Sequence, residues 1–111
     1  MERLKNGQPA DVTVLGMGED GHIASLFPPL SDEGLYGPAT VLHTTTDTLA
    51  IRDRISLSLP AIRDARAFVF FLTGERKKRT WEEMEQSPAD ERRWPAKALL
   101  SHQDCTVFAR W

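Results

Sequence analysis

The chain has 111 residues and a net charge of −2 at pH 7, with 41% hydrophobic and 27% charged residues. This length suits one modest domain or part of a larger one, and the apolar fraction is sufficient for a buried core. The charge balance gives no reason to expect nucleic acid or a membrane surface as a partner, and the longest apolar run, residues 67–72, is too short to cross a bilayer.

The compartment is predicted from the cysteine content and from the N-terminal residues. Cys105 is the only cysteine, so no disulfide can form within the chain. Residues 1–11 lack the apolar segment of a secretory signal. These features predict a soluble, cytoplasmic protein.

The first half of the chain is predicted to contain two strands on either side of a glycine-rich turn and a loop. Residues 11–15 are a short β-branched run that ends at a glycine, which is typical of a buried strand. Residues 22–27 are expected to form a short helix that ends at two prolines. Residues 28–38 contain three prolines and two glycines, which predicts a loop, and residues 39–44 are a plausible second strand.

The second half alternates helical and extended patterns. Residues 54–57 are either extended or the start of a helix predicted over 58–66. Residues 67–73, AFVFFLT, are apolar without alternation, which predicts a central parallel strand covered on both faces. A helix is predicted over 75–86, with Trp81 and Met84 facing inward and Ser87-Pro88 ending it, and a last strand over 105–109.

Strands that alternate with helices predict an α/β fold, here a three-layer, Rossmann-like parallel sheet with helices on both faces. Only about four strands are visible, fewer than the five or six of a typical sheet. The last strand is also followed by no closing helix. We therefore expect residues 1–111 to form a single but partial domain.

Residues 16–22, GMGEDGH, follow the first predicted strand. Ligands of open α/β sheets bind beyond the carboxyl ends of the strands, and glycines there let backbone N–H groups approach an anion. Histidine is suited to act as a general base near neutral pH, and Asp20 is placed to orient His22 or to hold a substrate hydroxyl. The alternative is a common turn with a structural histidine. The dinucleotide-binding pattern G-x-G-x-x-G is matched, but no long helix follows it directly.

The stretch GMGEDGHIASLFP, residues 16–28, resembles the signature of the 6-phosphogluconolactonase family. Similar segments follow in the family's order, and the resemblance runs from about Ala10 to the end: RISL at 54–57, SLPAIRDARAFVFFLTGERKKR at 58–79, WPAKALL at 94–100 and CTVFARW at 105–111. It implies a fold shared with glucosamine-6-phosphate deaminases and ribose-5-phosphate isomerases. The implied reaction is the hydrolysis of 6-phospho-D-glucono-1,5-lactone to 6-phosphogluconate in the pentose phosphate pathway, without metal or cofactor. The implied partner is thus a small phosphorylated sugar lactone.

The same resemblance assigns roles to individual residues. His22 is expected to activate the attacking water, and Asp20 to support His22 or the sugar hydroxyls. Lys77 occupies the family position that reaches the substrate phosphate, although Lys78 is a nearby alternative, and Arg54 is expected to contribute a second cation. We further infer that a developing oxyanion is bound by backbone N–H groups of Gly16, Gly18 or Gly21.

The main alternative within the resemblance is a glucosamine-6-phosphate deaminase. In that family the D-G-H-I-A run is followed by Phe-Asn-Glu-Pro, whose glutamate takes part in ring opening. Here Phe27 stands at the glutamate's position and cannot move a proton. Ile23 is more typical of the deaminases, but the missing carboxylate weighs more and favours lactonase chemistry.

Members of the resembled family are about twice as long, and their first half carries a phosphate loop and a sugar-binding Asp-Glu-Arg segment. Neither occurs here at the expected place; the triplet at residues 90–92 lies late in a polar loop. We therefore expect the chain to be a C-terminal portion of such a domain. The remaining alternatives are a non-catalytic fragment that binds sugar phosphate, and one that self-associates or is completed by another chain through a sheet edge.

Overall fold

A computed structural model describes residues 10–102 and 104–111. The predictions about residues 1–9, namely the missing secretory signal and the start of the 1–111 domain, lie outside the described residues. In chain order the elements are β1 (Val12–Leu15), α1 (Asp32–Tyr36), β2 (Val41–Thr45), β3 (Asp53–Leu57), α2 (Leu59–Arg63), β4 (Ala67–Thr73), α3 (Glu75–Gln86), α4 (Lys97–Leu100) and β5 (Cys105–Arg110).

The main sheet is parallel and has the order β1-β4-β5. Its central strand is β4, the strand with the continuous apolar sequence. Leu15 pairs with Phe70, which in turn pairs with Val107. Phe68, Phe70 and Leu72 are at most 1% exposed and lie on one face of the sheet, against the core. The predicted α/β class with a parallel sheet is confirmed.

The opposite face of this sheet is open, and we call the four side chains Val12, Val14, Phe71 and Phe108 the open face. They are between 54% and 61% exposed. The rings of Phe71 and Phe108 stack on each other with centroids 5.3 Å apart. The second helical layer that the sequence predicts over this face is not formed by the described residues.

A second sheet is an antiparallel hairpin of β2 and β3, with Val41 opposite Leu57 and Thr45 opposite Asp53. Residues 54–57 therefore lie in a strand, β3, and do not begin the predicted helix. The prediction that all strands join one parallel sheet is wrong for this pair. Seven residues separate β2 from β3, too few for the crossover that parallel strands need.

The short helix predicted over residues 22–27 does not form. Ala24 lies in the left-handed region at φ 49°, and Ile23 and Leu26 form an isolated bridge. The backbone of Ser25 is satisfied by the hairpin instead: its N–H donates to Ser56 Oγ at 3.2 Å, and its carbonyl accepts from Thr44 Oγ1 at 2.7 Å. A six-residue segment gains little from helix formation, so these tertiary bonds decide its conformation.

The loop predicted over residues 28–38 contains a helix, α1. The prolines flank α1 rather than interrupting it. Ser31 caps its start by accepting a hydrogen bond from the Gly34 N–H at 3.1 Å, and Leu35 is buried. The three prolines therefore lie at the ends of this segment, whereas Gly34 is part of the helix itself.

The predicted helix over 75–86 is confirmed as α3, which ends at Gln86 and has Ser87 as its C-cap. Met84 is fully buried, and Trp81 packs against the core. The helix predicted over 58–66 is shorter, since α2 ends at Arg63. One hydrophobic cluster joins these elements: Leu15, Met17, Ile23, Leu26, Leu30, Leu35, Leu59, Ile62, Ala65, Phe68, Phe70, Leu72, Met84, Trp94, Ala96 and Leu99.

Among the described residues, no helix has the length and apolar character required to cross a membrane.

Candidate active site

The residues 16–22, which we call the glycine-rich loop, begin where β1 ends, at the carboxyl edge of the parallel sheet. The loop closes on itself through two backbone hydrogen bonds. The Gly18 N–H donates to the His22 carbonyl at 2.8 Å, and the Gly21 N–H donates to the Gly18 carbonyl at 2.9 Å. These two N–H groups are therefore already hydrogen-bonded within the loop, which favours Gly16 among the three predicted oxyanion donors.

Two glycines are required here for steric reasons. A Cβ on Gly18 would lie 2.1 Å from His22 Cε1 and 2.2 Å from Nδ1, so the imidazole occupies the space that a side chain would need. Gly21 has a φ of 92°, and a Cβ there would lie 2.7 Å from the ring of Trp94. The absence of side chains at Gly18 and Gly21 thus leaves room for the His22 and Trp94 rings.

His22 and Asp20 form a direct pair. His22 Nδ1 lies 2.5 Å from Asp20 Oδ1, and the same oxygen accepts the backbone N–H of His22 at 3.1 Å. When Nδ1 carries the proton and donates it to the carboxylate, Nε2 holds the free lone pair. This is the arrangement of a general base with an orienting carboxylate, and the predicted partnership is present in the geometry.

The environment of Asp20 favours its ionised form. Burial raises the pKa of this carboxyl group, but the hydrogen bonds from the His22 backbone and ring and the charge attraction of His22 outweigh burial. The net result is a pKa below the ordinary aspartate value. Asp20 is therefore an acceptor for the imidazole, not a proton donor.

The ring of Phe27 lies against His22, with centroids 4.9 Å apart and planes tilted by 51°. This is the residue that stands where the resembled deaminases carry a glutamate. The neighbour of the imidazole on this side is thus an apolar ring without a transferable proton.

Helix α3 holds the loop from one side. Lys77 Nζ donates to the carbonyl of Met17, and Thr80 Oγ1 lies 3.1 Å from the carbonyl of Glu19. Thr80 is only 5% exposed. Sequence reasoning found Lys77 but missed Thr80, although a spacing of three residues places both on one side of the helix.

Two cavities of about 420 Å³ each meet at this loop, and Gly18, His22 and Lys77 line both. The first also involves Gly16 and Ala24, and the second involves Asp20. The second is closed by Thr48 and Leu49, from the turn of the hairpin. The sequence does not predict these two residues as part of the site, because the folding of the hairpin, and not a local motif, brings them there.

Arg54 is not among the residues that line these two cavities. It lies on β3, and its Nε donates to the carbonyl of Ile51 at 3.0 Å. The structure thus joins His22, Asp20, Lys77 and the loop glycines at one place, whereas the contribution of Arg54 to a ligand stays a prediction.

Arg93 makes a contact with the glycine-rich loop that the sequence did not predict. Its Nη1 donates to the carbonyl of Asp20 at 2.9 Å across 73 residues of chain. Its guanidinium lies 3.7 Å from the centroid of the Trp94 ring. No local pattern marks this residue, because its role depends on how residues 90–94 pack against the loop.

Other reactive groups contribute little to this site. Within the described part of the chain, no group of three or more His, Cys, Asp or Glu side chains is placed to hold a metal ion. Burial raises the pKa of the Cys105 thiol, which opposes formation of a nucleophilic thiolate.

The chain was compared with known protein families and with curated proteins. The pattern of the family described as glucosamine-6-phosphate isomerases/6-phosphogluconolactonase matches residues 1–108. A probable 6-phosphogluconolactonase of Dictyostelium discoideum is 45% identical over 105 residues, which cover 95% of this chain and 44% of that protein. A 6-phosphogluconolactonase of Neisseria meningitidis serogroup A is 39% identical over 111 residues, covering 95% and 47%.

Solved structures that are similar to this chain come from the same two kinds of enzyme. The crystal structure of a 6-phosphogluconolactonase from Shewanella baltica superposes with a TM-score of 0.79 at 35% identity, over 99% of this chain and 48% of that one. A monomeric glucosamine-6-phosphate deaminase superposes with a TM-score of 0.74 at 18% identity, which shows a shared fold alone. The chain therefore spans about half the length of the proteins that it matches.

We expect Gly18→Ala to displace the His22 ring and to lower the free energy of unfolding by about 1–3 kcal/mol, because the new methyl group overlaps the imidazole. Gly16→Ala is the matched control, since the nearest atom to its Cβ is 3.9 Å away. The measurements are the ¹⁵N-correlated ring resonances of His22 and urea unfolding. An unchanged His22 spectrum in Gly18→Ala would contradict this description of the loop.

The Asp20–His22 pair should also give a pH-dependent stability. Since the folded-state pKa of Asp20 lies below that of an unfolded aspartate, about 3.9, the carboxylate's contribution is fully present above that value. It is lost as the pH falls through the folded-state pKa. In urea unfolding, the stability difference between the wild-type chain and Asp20→Asn should thus shrink below about pH 4. A difference that grows on acidification would show the opposite sign.

Proposed function

This chain belongs to the glucosamine-6-phosphate isomerase/6-phosphogluconolactonase family, and we propose that its site hydrolyses 6-phospho-D-glucono-1,5-lactone to 6-phosphogluconate, a step of the pentose phosphate pathway. The observation that carries the proposal is the environment of His22. Its Nδ1 is held by Asp20 at 2.5 Å, and its ring lies against Phe27. One oriented base beside an apolar ring suits attack by water on a lactone.

In the proposed reaction, His22 Nε2 takes a proton from water as the water oxygen bonds to the lactone carbonyl carbon. The tetrahedral intermediate then collapses, and the bond from this carbon to the ring oxygen breaks. The protonated imidazole returns the proton to the departing ring oxygen, which becomes a hydroxyl group. A positioned base of this kind contributes on the order of 10²–10⁴ in rate. Asp20 stabilises the imidazolium that forms, and the Gly16 N–H is the favoured candidate for the oxyanion.

The phosphate of the substrate is assigned to Lys77. Lys77 lines both cavities beside His22, and an ammonium has three donors, so it can bind phosphate without releasing the Met17 carbonyl. Backbone N–H groups in the first turn of α3 are further donors for the phosphate in this proposal. Arg54 is proposed as a second cation, since its bond to Ile51 uses only Nε and leaves the terminal nitrogens for an anion.

The deaminase alternative is less well supported. It requires a carboxylate that moves protons for ring opening next to the histidine, and Phe27 occupies that side of His22. The deaminase structure is 18% identical to this chain, which supports a shared fold and gives no support for a shared reaction. The second alternative, a fragment that binds sugar phosphate without turnover, is separated from the lactonase by experiment.

We also propose that the open face is covered in the working protein by a polypeptide segment equivalent to the half of the relatives that this chain does not span. Parallel sheets are almost always covered on both faces, whereas the open face exposes two valines and two stacked phenylalanines. Without such a partner, two copies of the chain are expected to pair through it. We place the reaction in the cytoplasm, on the basis of the lone thiol, Cys105.

The lactonase assignment is tested by the rate of 6-phosphogluconolactone loss above its spontaneous hydrolysis. We expect turnover by the wild-type chain, a loss on the order of 10²-fold or more in kcat for His22→Ala, and a KM higher by roughly 10-fold to 100-fold for Lys77→Met. Phosphate contacts are made in the ground state and in the transition state, so kcat should change little in Lys77→Met.

Lys78→Met is the matched control, because it is the neighbouring lysine with similar burial and does not line the cavities. Full turnover in His22→Ala would overturn the proposed base. If the folded chain binds 6-phosphogluconate through Lys77 without turnover, the non-catalytic alternative is favoured. If Lys78→Met and not Lys77→Met raises KM, the phosphate assignment moves to Lys78.

For the open face, we expect the molar mass of the isolated chain, from light scattering after size exclusion, to rise with concentration above that of a monomer. Phe71→Ser should reduce this association by removing one of the two stacked rings. Ile55→Ser is the control, since Ile55 is 75% exposed on the separate hairpin. A wild-type chain that stays monomeric at all concentrations would contradict self-association, and equal effects of both variants would contradict the location.

A further inference from the structure

The glycine-rich loop is fixed by three side chains that bind its carbonyl oxygens from outside. Lys77 and Thr80 reach Met17 and Glu19 from α3, whereas Arg93 reaches Asp20 from residues 90–94. Only the bond from Arg93 ends on the residue that supplies the carboxylate of the His22 pair. A bond to the carbonyl of Asp20 restricts the peptide next to its side chain, and so restricts where the carboxylate points.

Arg93 is itself held in place by Trp94. The guanidinium lies over the indole ring at 3.7 Å, and Trp94 is only 2% exposed. A cation over a buried aromatic face is both attracted to it and limited in its rotamers. The hydrogen bond to Asp20 therefore comes from a guanidinium that is already oriented.

Gly21 completes this packing. A Cβ on Gly21 would lie 2.7 Å from two carbons of the Trp94 ring and 3.2 Å from Arg93 Nη1. The loop backbone between Asp20 and His22 thus rests directly on the Arg93–Trp94 pair, and no side chain separates them.

Trp94 occupies this place at a cost. Its Nε1 is buried and has no hydrogen-bond partner among the described residues. A buried donor without a partner is unfavourable, so the hydrogen-bonding capacity of the indole does not explain its presence. The contacts of the ring with Gly21 and Arg93, and with the core, do.

We propose that Arg93, oriented by Trp94, is a positioning residue for the Asp20–His22 pair. It fixes the Asp20 peptide so that the carboxylate stays on His22 Nδ1 and leaves Nε2 directed for base catalysis. The kinetic consequence rests on the proposed lactonase function, whereas the effect on the His22 hydrogen bond does not.

Arg92 supplies a matched control within the same segment. It is the adjacent arginine and also donates to a backbone carbonyl, that of Leu30 at 2.5 Å, and to the carboxylate of Asp32 at 2.6 Å. Like Arg93, it therefore bonds to the backbone carbonyl of a segment distant in the chain, but this segment lies outside the glycine-rich loop. Replacing Arg92 reports the general effect of losing an arginine from residues 90–94.

The experiment compares Arg93→Gln, Arg93→Lys and Arg92→Gln in the full 111-residue chain, with folding checked by amide NMR spectra. The first readout is the downfield ¹H resonance of the His22 ring N–H that is bonded to Asp20. We expect it to be lost or shifted upfield in Arg93→Gln and unchanged in Arg92→Gln. Arg93→Lys retains a cationic donor but not the planar stack, so it should restore the resonance in part.

The second readout is lactone hydrolysis. We expect kcat to fall on the order of 10-fold to 100-fold in Arg93→Gln with little change in KM, because misplacing a catalytic group affects the chemical step. If Arg93→Gln does not fold, the His22 resonance and kcat are both measured in Arg93→Lys.

The outcomes separate this inference from the proposed function. If Arg93→Gln, or Arg93→Lys in its place, matches Arg92→Gln in the His22 resonance and in kcat, the positioning role is overturned. If the resonance changes in Arg93→Gln while the wild-type chain shows no turnover, the positioning role stands and the lactonase function fails.

Discussion

The site depends on one constraint, namely that the carbonyl oxygens of the tightly turned glycine-rich loop must each find a donor. Four consecutive carbonyls, those of residues 17–20, do so within the chain, and their donors are Lys77, the Gly21 N–H, Thr80 and Arg93 in that order. These hydrogen bonds together stabilise one loop conformation. The His22–Asp20 pair inherits its geometry from that conformation.

The same constraint explains how Lys77 can stabilise the loop and also contribute to the proposed phosphate site. Its ammonium group binds the Met17 carbonyl, and the residue lines the two cavities beside His22. A strongly hydrated charge is expensive to bury, and the carbonyl replaces part of its water shell while leaving donors for an anion. The cation is thus held at the site before any ligand arrives, which reduces the cost of ordering it on binding.

The parallel sheet holds the loop at its carboxyl edge, but residues 10–102 and 104–111 cover only one of its faces. Phe68, Phe70 and Leu72 anchor β4 to the core, while Phe71, on the other face, stacks with Phe108 in the open. The chain thus contains a complete His22–Asp20 pair on a sheet that is open on one side. This asymmetry is consistent with a match to about half the length of the family's members.

The sequence by itself determined the elements that depend on local pattern. The continuous apolar run identified β4, and the helical spacing of Trp81 and Met84 identified α3. The His22–Asp20 pair was also predictable, since two residues of separation hold both groups in one turn. Tertiary structure decided the rest. Residues 22–27 are not helical because Ser56 and Thr44 take the backbone groups of Ser25. Arg93 reaches Asp20 across 73 residues, and no local pattern encodes such a contact, since it exists only once the core has brought both segments together.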